Sequence, residues 1–471
     1  MFFQISPGGN MGQGQKITIV DLGPGYAGKI DMRESLYKVT GLLDVQKRML
    51  EHLGTMTYRD LVATSLRRHL KFKEAFVLMC YALRASNGRL ASSVLSGLES
   101  FGAEGDRLAA RELLSSYAMK EAWDRITPFE IAGMVTATMM DVMRFPDYGD
   151  RVIETCGMGG DRGVKLNGEE IPRKTINGST LSALVLASLG VKTAKHGSYG
   201  NTSPVGSTNA IEELGVRVDI PDVDVQLILA EQAFHFTDAH AWKTVHDLSH
   251  LQPRRETINH VIGPMTPPIK ARTRLDKILG VNDKLHPSIV AEAYQILNEM
   301  GVFSVGNAAI VAGLGARPTE DGMIENRNWL RDNIVLDELS PIASAVAFVQ
   351  HGRSVGTHLV TPGRFGVKFH HPHAPFIKND HDVIMQANHD VLQGVLDERQ
   401  LVDLLAMNAA LGLYLVEMMD DDVSLSEKGP DQDALKSCFT RCHEQIVSGR
   451  VVAYLEKYAQ LTQQLSLGVA K

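Results

Sequence analysis

From Arg151 onward the chain alternates short β-branched runs with helical stretches, and this alternation limits the possible folds more than any other feature. Val152-Ile-Glu-Thr155, Val191-Lys-Thr-Ala-Lys195, Val216-Arg-Val-Asp-Ile220 and Ala308-Ala-Ile-Val-Ala312 read as strands with helix-length segments between them. Strands joined through helices pair in parallel and bury both faces. The fold class expected is therefore α/β, with a mainly parallel central sheet covered by helices. Near the end of this region, Ala345-Val-Ala-Phe-Val-Gln350 and Val355-Gly-Thr-His-Leu-Val360 flank His-Gly-Arg-Ser and read as a hairpin. Helices return after it. Upstream, residues 33–148 are mainly helical, with spaced apolar residues in Tyr58-Arg-Asp-Leu61-Val62 and Phe76-Val77-Leu78-Met79. Thr127-Pro128-Phe-Glu130 reads as a helix start: Thr caps, Pro opens the first turn and Glu completes a capping box. The organisation expected is a leader and short strand over 1–32, a small helical domain over 33–148, and a larger α/β domain with C-terminal helices over 149–471.

Composition narrows the function classes. With 48 Lys and Arg against 55 Asp and Glu, the net charge of −7 does not suggest a whole-protein field for nucleic acid. Four cysteines without a Cys-x-x-Cys pair make no disulfide scaffold and fit a reducing cytoplasm. No apolar run reaches the roughly 18 residues of a membrane span; residues 404–416 come nearest and contain Asn408 and Gly412. The first nine residues lack the basic and long apolar regions of a secretory signal. Residues 1–15 read as a mobile leader and 16–22 as a short strand. Gly23-Pro-Gly25-Tyr-Ala-Gly28 formally matches G-x-G-x-x-G, but Pro24 stiffens it and helical sequence follows, so a turn is the better reading. No internal repeat of fixed period is present.

Chemistry concentrates where strands end. Glu154-Thr-Cys-Gly157-Met-Gly159-Gly160-Asp161 is a strand running into a glycine turn, whose backbone can approach a ligand closely and aim N–H groups at an anion. Asn177-Gly178-Ser179-Thr180 then opens a helix, offering a cap residue, two hydroxyls and a helix N-terminus, or simply a well-capped helix. Lys195-His196-Gly197 ends another strand, and Gly206-Ser207 precedes a further helix. Successive ends of parallel strands lie side by side, so the four segments converge on one cleft.

These residues resemble the class II phosphoribosyltransferases and pyrimidine nucleoside phosphorylases, closest to the branch that takes anthranilate. That family carries G-T-G-G-D, N-I-S-T, K-H-G-N-R and a G-S-A-D helix. Here stand Gly157-Met-Gly-Gly-Asp161, Asn177-Gly-Ser-Thr180, Lys195-His-Gly-Ser-Tyr199 and Gly206-Ser-Thr-Asn209. Arg254-Arg-Glu256, Thr257-Ile with Gly263-Pro264, and Leu336-Asp337-Glu338-Leu339-Ser340 resemble its R-R-E, T-I-F-N-L-L-G-P and L-D-E-I-S segments. The likeness runs from about residue 55 to 465 and implies the nucleoside phosphorylase/phosphoribosyltransferase-like fold.

The resemblance implies transfer of a phosphoribosyl group from phosphoribosyl pyrophosphate to an aromatic amine, anthranilate foremost, in a cytoplasmic homodimer with Mg²⁺. Negative charge grows on the departing pyrophosphate, so stabilising it electrostatically should dominate catalysis. The positions matching the family place Lys195 and His196 as catalytic residues. Phosphoribosyl pyrophosphate falls to Gly157, Gly159, Gly160, Asp161, Asn177, Ser179, Thr180, Lys195 and Ser207. The acceptor falls to His196, Ser198, Tyr199, Arg254 and Gly263, and Mg²⁺ to Ser179, Asp337 and Glu338. Without these motifs Asp337-Glu338 would be a solvated acidic pair, Lys195 a surface lysine and His196 a structural histidine.

Departures from the family gather on the acceptor side. Tyr199 and Ser198 replace the Arg and Asn of K-H-G-N-R, removing a charge. The family's Leu-Gly-x-Arg after Arg255 is missing, and His260 replaces its Asn. On the donor side only Met158 and Gly178 differ. Asn177 follows Asp161 by 16 positions, a longer spacing than the family's, so residues 162–176 form a lid or a longer surface loop. Residues 1–54 and 85–125 also exceed the family framework. Two other functions compete: a pyrimidine nucleoside phosphorylase of the same fold, and a non-catalytic relative that binds nucleic acid. His370, His371, His373 and His381 read as a solvated loop rather than a zinc site, and Cys438 and Cys442 as helical neighbours four apart.

Overall fold

Eight strands form one sheet, and its chain order follows from the helices between them. In the computed structural model the described residues are 49, 56–85, 98–119, 126–139, 151–160, 164–166, 169–171, 173–200, 203–239, 248, 251, 257–266, 274–302, 304–320, 322–397, 399–421, 425–426 and 429–467. The strands are β1 (Arg151–Gly157), β2 (Thr193–Gly197), β3 (Phe234–Asp238), β4 (Arg274–Gly280), β5 (Val305–Leu314), β6 (Ile334–Leu336), β7 (Ala343–Gln350) and β8 (Arg353–Val360). Their spatial order is β8-β7-β5-β4-β1-β2-β3, with β6 antiparallel on the end of β5. β1 to β5 run parallel. β7 and β8 form the expected antiparallel hairpin, turning through His351 and Gly352 at positive φ.

Helices cover both faces. Four N-terminal helices, α1 (Tyr58–Arg67), α2 (Phe72–Ala85), α3 (Gly102–Met119) and α4 (Pro128–Thr138), come before the sheet. Within it follow α5 (Gly178–Ser188), α6 (Ser207–Glu213), α7 (Asp222–Glu231), α8 (Asn259–Met265), α9 (Pro287–Glu299) and α10 (Arg327–Asn333). The C-terminal set is α11 (His381–Leu392), α12 (Leu401–Glu417), α13 (Gln432–Val447) and α14 (Arg450–Leu467). Strand side chains alternate between faces. Val152, Cys156, Leu275 and Leu279 therefore join a core with α1 to α4, α8 and α9. Ile153, Ala309 and Val311 join one with α5 and α11 to α14. Gly412 lets α12 lie against α5 and the strands, since a Cβ there would sit 2.7 Å from Leu186.

The capping box at α4 forms as expected. Thr127 Oγ1 accepts from the Glu130 N–H at 3.3 Å, and Glu130 Oε2 accepts from the Thr127 N–H at 2.8 Å. The fully buried Glu130 also accepts from the Leu70 N–H and the Tyr117 hydroxyl, tying α4 to its neighbours.

One expectation changes. Residues 216–220 form no strand: Arg217 pairs with Asp219 and its N–H bonds to Thr462 of α14. β-branched residues make a strand only where a partner strand is present. Asp420, after α12, pairs with Arg151 and Arg274 at the start of β1 and β4. Residues 164–166 and 169–171 make a small ribbon, and 173–174 pair with 377–378, so much of 162–176 folds back on itself and on the body. The leader, the strand at 16–22, the glycine turn at 23–28 and the boundary expected at 148–149 lie outside the described residues.

Candidate active site

The C-terminal ends of β1, β4 and β5 carry glycines that let the segment after β6 lie directly on them, and the end of β2 lies beside β1. A Cβ at Gly157 would stand 2.2 Å from Asp337 Oδ2, and one at Gly280 only 1.4 Å from the Asp337 carbonyl. Added Cβ atoms at Gly178 and Gly313 would strike Glu338 in the same way. Gly159 and Gly160 take positive φ, 69° and 75°, which residues with a Cβ rarely adopt. The Gly159 N–H, expected to face a ligand, donates instead to Asp337 Oδ2 at 2.6 Å, and its carbonyl accepts from Asn282 Nδ2 at 2.9 Å. Asn282, which follows β4, escaped the sequence reading because nothing in its local pattern marks it.

Asn177 stands at the start of α5 but does not cap it with its side chain. It pairs instead with Asn388 of α11: Asn388 Oδ1 accepts from the Asn177 N–H at 2.9 Å, and Asn388 Nδ2 donates to Asn177 Oδ1 at 2.8 Å. At this helix N-terminus the Glu338 carboxylate lies against Gly178. There Thr180 is buried with its hydroxyl unpartnered, and Ser179 is half-buried, its carbonyl accepting from Thr155 at 2.7 Å. On β2, a Cβ at Gly197 would meet Ser207 at 2.3 Å, so the end of β2 and the first turn of α6 adjoin. Thr208 donates to Asp238 at the end of β3 at 3.1 Å.

Asp337 and Glu338 are the two carboxylates at this junction. Glu338 is pushed up to about 8, first by burial and further by the Asp337 charge, against a hydrogen bond from Thr175. Among the described residues, no three His, Cys, Asp or Glu side chains group as a metal cage. Two adjacent carboxyl groups are hard oxygen donors that fit a Mg²⁺ ion completing its shell with substrate phosphates and water, and a bound cation would favour the ionised form of Glu338.

The acceptor side differs from expectation. Lys195 is buried, its ammonium turned onto the His196 carbonyl and 6.0 Å from the Phe236 ring centre; burial lowers its pKa. Both ring nitrogens of His196 are engaged inside the fold, Nδ1 with Glu154 and Nε2 at 3.7 Å from Cys156 Sγ. Tyr199 is exposed and donates to Glu212 at 3.0 Å, and the Ser198 carbonyl accepts from Thr208. Gly263 lies in α8, whose Pro264 carbonyl accepts from Lys277 at 2.7 Å. His260 caps locally, its Nδ1 accepting from the Thr257 N–H at 3.0 Å. Asp161 and Arg254 lie outside the described residues.

Beneath these residues, sequence reasoning missed an ion pair between Glu154 and Lys277, both fully buried. Burial alone would raise Glu154, but the Lys277 and His196 charges hold it well below the usual carboxylate range. The available signal was a charged residue inside each of two apolar runs that end in glycine.

Comparison with known proteins agrees with this geometry. Residues 149–320 match the family model described as glycosyl transferase family, a/b domain. An anthranilate phosphoribosyltransferase of Brevibacillus brevis is 31% identical over 308 residues, covering 64% of this chain and 76% of that protein. Its counterpart in Idiomarina loihiensis is 30% identical, with 63% and 76% covered. The solved anthranilate phosphoribosyltransferase of Thermus thermophilus superposes with a TM-score of 0.58 at 22% identity, over 86% of this chain and 99% of that one. The Saccharomyces cerevisiae enzyme, solved in complex with PRPP and Mg, gives 0.55 at 19% identity, over 90% and 98%. The chain belongs to the class II phosphoribosyltransferase and nucleoside phosphorylase family and within it resembles anthranilate phosphoribosyltransferase.

Proposed function

We propose that this chain transfers the phosphoribosyl group of phosphoribosyl pyrophosphate to an aromatic amine, with anthranilate the first acceptor to test. The observation carrying this reading is the packing of Asp337 and Glu338 onto Gly157, Gly178 and Gly280, at the N-terminus of α5. That arrangement suits a substrate with two phosphate groups and a divalent cation. The glycine loop through Gly160 and Asp161, with Asn177, Ser179, Thr180 and Ser207, positions the pyrophosphate and ribose. Ser179, Asp337 and Glu338 hold Mg²⁺, which when bound supplies positive charge to the departing pyrophosphate. Lys195 adds a fixed positive charge behind the site. The amine attacks the anomeric carbon as the bond to pyrophosphate breaks, and loses its proton afterwards. The acceptor is assigned to His196, Ser198, Tyr199, Arg254 and Gly263, the positions that match the family's acceptor side.

The enzyme acts as a cytoplasmic homodimer. Support comes from exposed Leu66 and Leu108 on α1 and α3, and from four cysteines that are all free and buried. Among the described residues, no helix is long and apolar enough to cross a membrane. Sedimentation of the purified chain tests the dimer.

Calorimetry of phosphoribosyl pyrophosphate with and without Mg²⁺, on the wild type and on Asp337→Ala/Glu338→Ala, tests the donor site. Loss of anthranilate fluorescence tests the acceptor. Mg²⁺-dependent binding and anthranilate consumption are expected; binding without consumption redirects the search to other aromatic amines, and no binding overturns the transferase.

A further inference from the structure

Two-residue alternation along β1 places Glu154 and Cys156 on the sheet face that meets α8 and α9. The β1–β4 register sets Glu154 directly opposite Lys277, and the β1–β2 register sets it opposite Ala194, so His196 falls beside Cys156 on the same face. The result is a connected series of side chains. Cys156 Sγ lies 3.7 Å from His196 Nε2, His196 Nδ1 bonds to Glu154, and Glu154 pairs with Lys277. A carboxylate that orients an imidazole, which in turn faces a thiol, is the arrangement that generates a thiolate. A second observation points the same way. The Tyr294 hydroxyl of α9 is fully buried without a hydrogen-bond partner and lies in the field of Glu154 and Cys156. It is an unspent donor within that field.

We propose that Cys156 is an oxidant-sensitive thiol, which a hydroperoxide converts to a sulfenic acid within the buried Cys156–His196–Glu154 series. The thiolate sulfur attacks one peroxide oxygen and an S–O bond forms as the O–O bond breaks. Sulfur gives up two electrons, and the departing hydroxide takes the proton of the His196 imidazolium and leaves as water. The sulfenic acid remains; an added thiol condenses with it to a mixed disulfide, releasing water, and a second thiol cleaves that disulfide to return Cys156.

The other three cysteines supply the contrast. Cys80, Cys438 and Cys442 are buried among apolar side chains of α2 and α13, where burial pushes each thiol up, Cys438 to about 12. Burial acts on Cys156 too, but the His196 and Lys195 charges outweigh it and bring the thiol down to about 7. The titratable groups facing it are Glu154 of β1, Lys195 and His196 of β2, Lys277 of β4 and Tyr294 of α9. The proposal does not depend on which reaction the cleft carries.

The test exposes the folded full-length chain to hydrogen peroxide with a dimedone-type probe and maps the adduct by peptide mass. Labelling of Cys156 at least about tenfold faster than the other three, with a rate midpoint near pH 7, supports the proposal. His196→Gln should move that midpoint upward by a pH unit or more and slow labelling at pH 7. Equal labelling of all four cysteines overturns it, as does a wild-type midpoint at the ordinary thiol value of about 8.5. Labelling that appears only in urea overturns it as well. The wild-type profile decides the matter even if His196→Gln does not fold.

Discussion

At the end of β1 Gly157 meets Asp337 at van der Waals limits, whereas one and three residues earlier Cys156 and Glu154 meet His196 and Lys277 through buried charge. The first region is specified by absent side chains: any Cβ at Gly157 or Gly280 collides with Asp337. The second is specified by complementary side chains that no glycine pattern announces. A site built of close backbone approach tolerates no growth; a site built of buried ions tolerates no unpaired member.

The largest effect should come from unpairing the buried ions. Lys277→Met leaves Glu154 charged and alone with His196, and removing one partner of a buried pair costs about 3–5 kcal/mol. Urea denaturation should show that loss, and Glu154→Gln/Lys277→Met should recover most of it. A double variant no more stable than Lys277→Met would mean the pair does not act as a unit. On the other side of the comparison, Asp337→Ala/Glu338→Ala should lower kcat/KM by about 10²–10³-fold, the scale for removing electrostatic support of a transition state. Its folding midpoint in urea should stay near that of the wild type.

Overfilling comes next. Gly280→Ala should destabilise by about 1–3 kcal/mol, and measured phosphoribosyl pyrophosphate binding should weaken with it, because the added methyl displaces the Asp337 backbone. Unchanged binding would show that this close approach is not needed for the donor site.

A smaller effect separates the regions by pH. Glu154 ionises at about 2 in the fold; burial opposes this and the Lys277 and His196 charges outweigh it. A depressed carboxylate contributes stability that is fully present above its unfolded pKa of about 4.3 and is lost as pH falls through the folded value. Urea midpoints of wild type and Glu154→Gln/Lys277→Met should therefore draw closer as pH falls from about 4.3 toward 2. A constant gap would remove Glu154 from the account. The smallest effect belongs to Tyr199→Phe, whose hydroxyl donates to Glu212 at the surface. Stability should change by no more than about 0.5 kcal/mol; a rise in KM for the acceptor would be the sign that Tyr199 reaches substrate.

Much of the donor region was legible in sequence because its requirements are local. A strand ending in Gly157-Met-Gly-Gly160, a helix opening at Gly178 and a following Gly206-Ser207 each carry their geometry in adjacent residues. Parallel order then brings them together. What stayed hidden depends on partners far along the chain. The Gly159 N–H is claimed by Asp337, and Asn177 is held by Asn388 instead of capping its own helix. Residues 216–220 have strand composition but no neighbouring strand to pair with.

The sequence by itself determined the alternation of strand and helix, the capping box at Thr127 and Glu130, and which strand ends carry glycine, because backbone preference and hydrophobic period act over a few residues. Only the tertiary structure decided that Glu154, a charge inside an apolar run, meets Lys277 of β4 and His196 of β2. It likewise decided that of the four buried cysteines Cys156 meets His196 and Lys195, whose charges outweigh burial, while burial dominates at the other three. Sheet register sets those pairings, and register is fixed by the packing of the whole sheet between its two layers of helices.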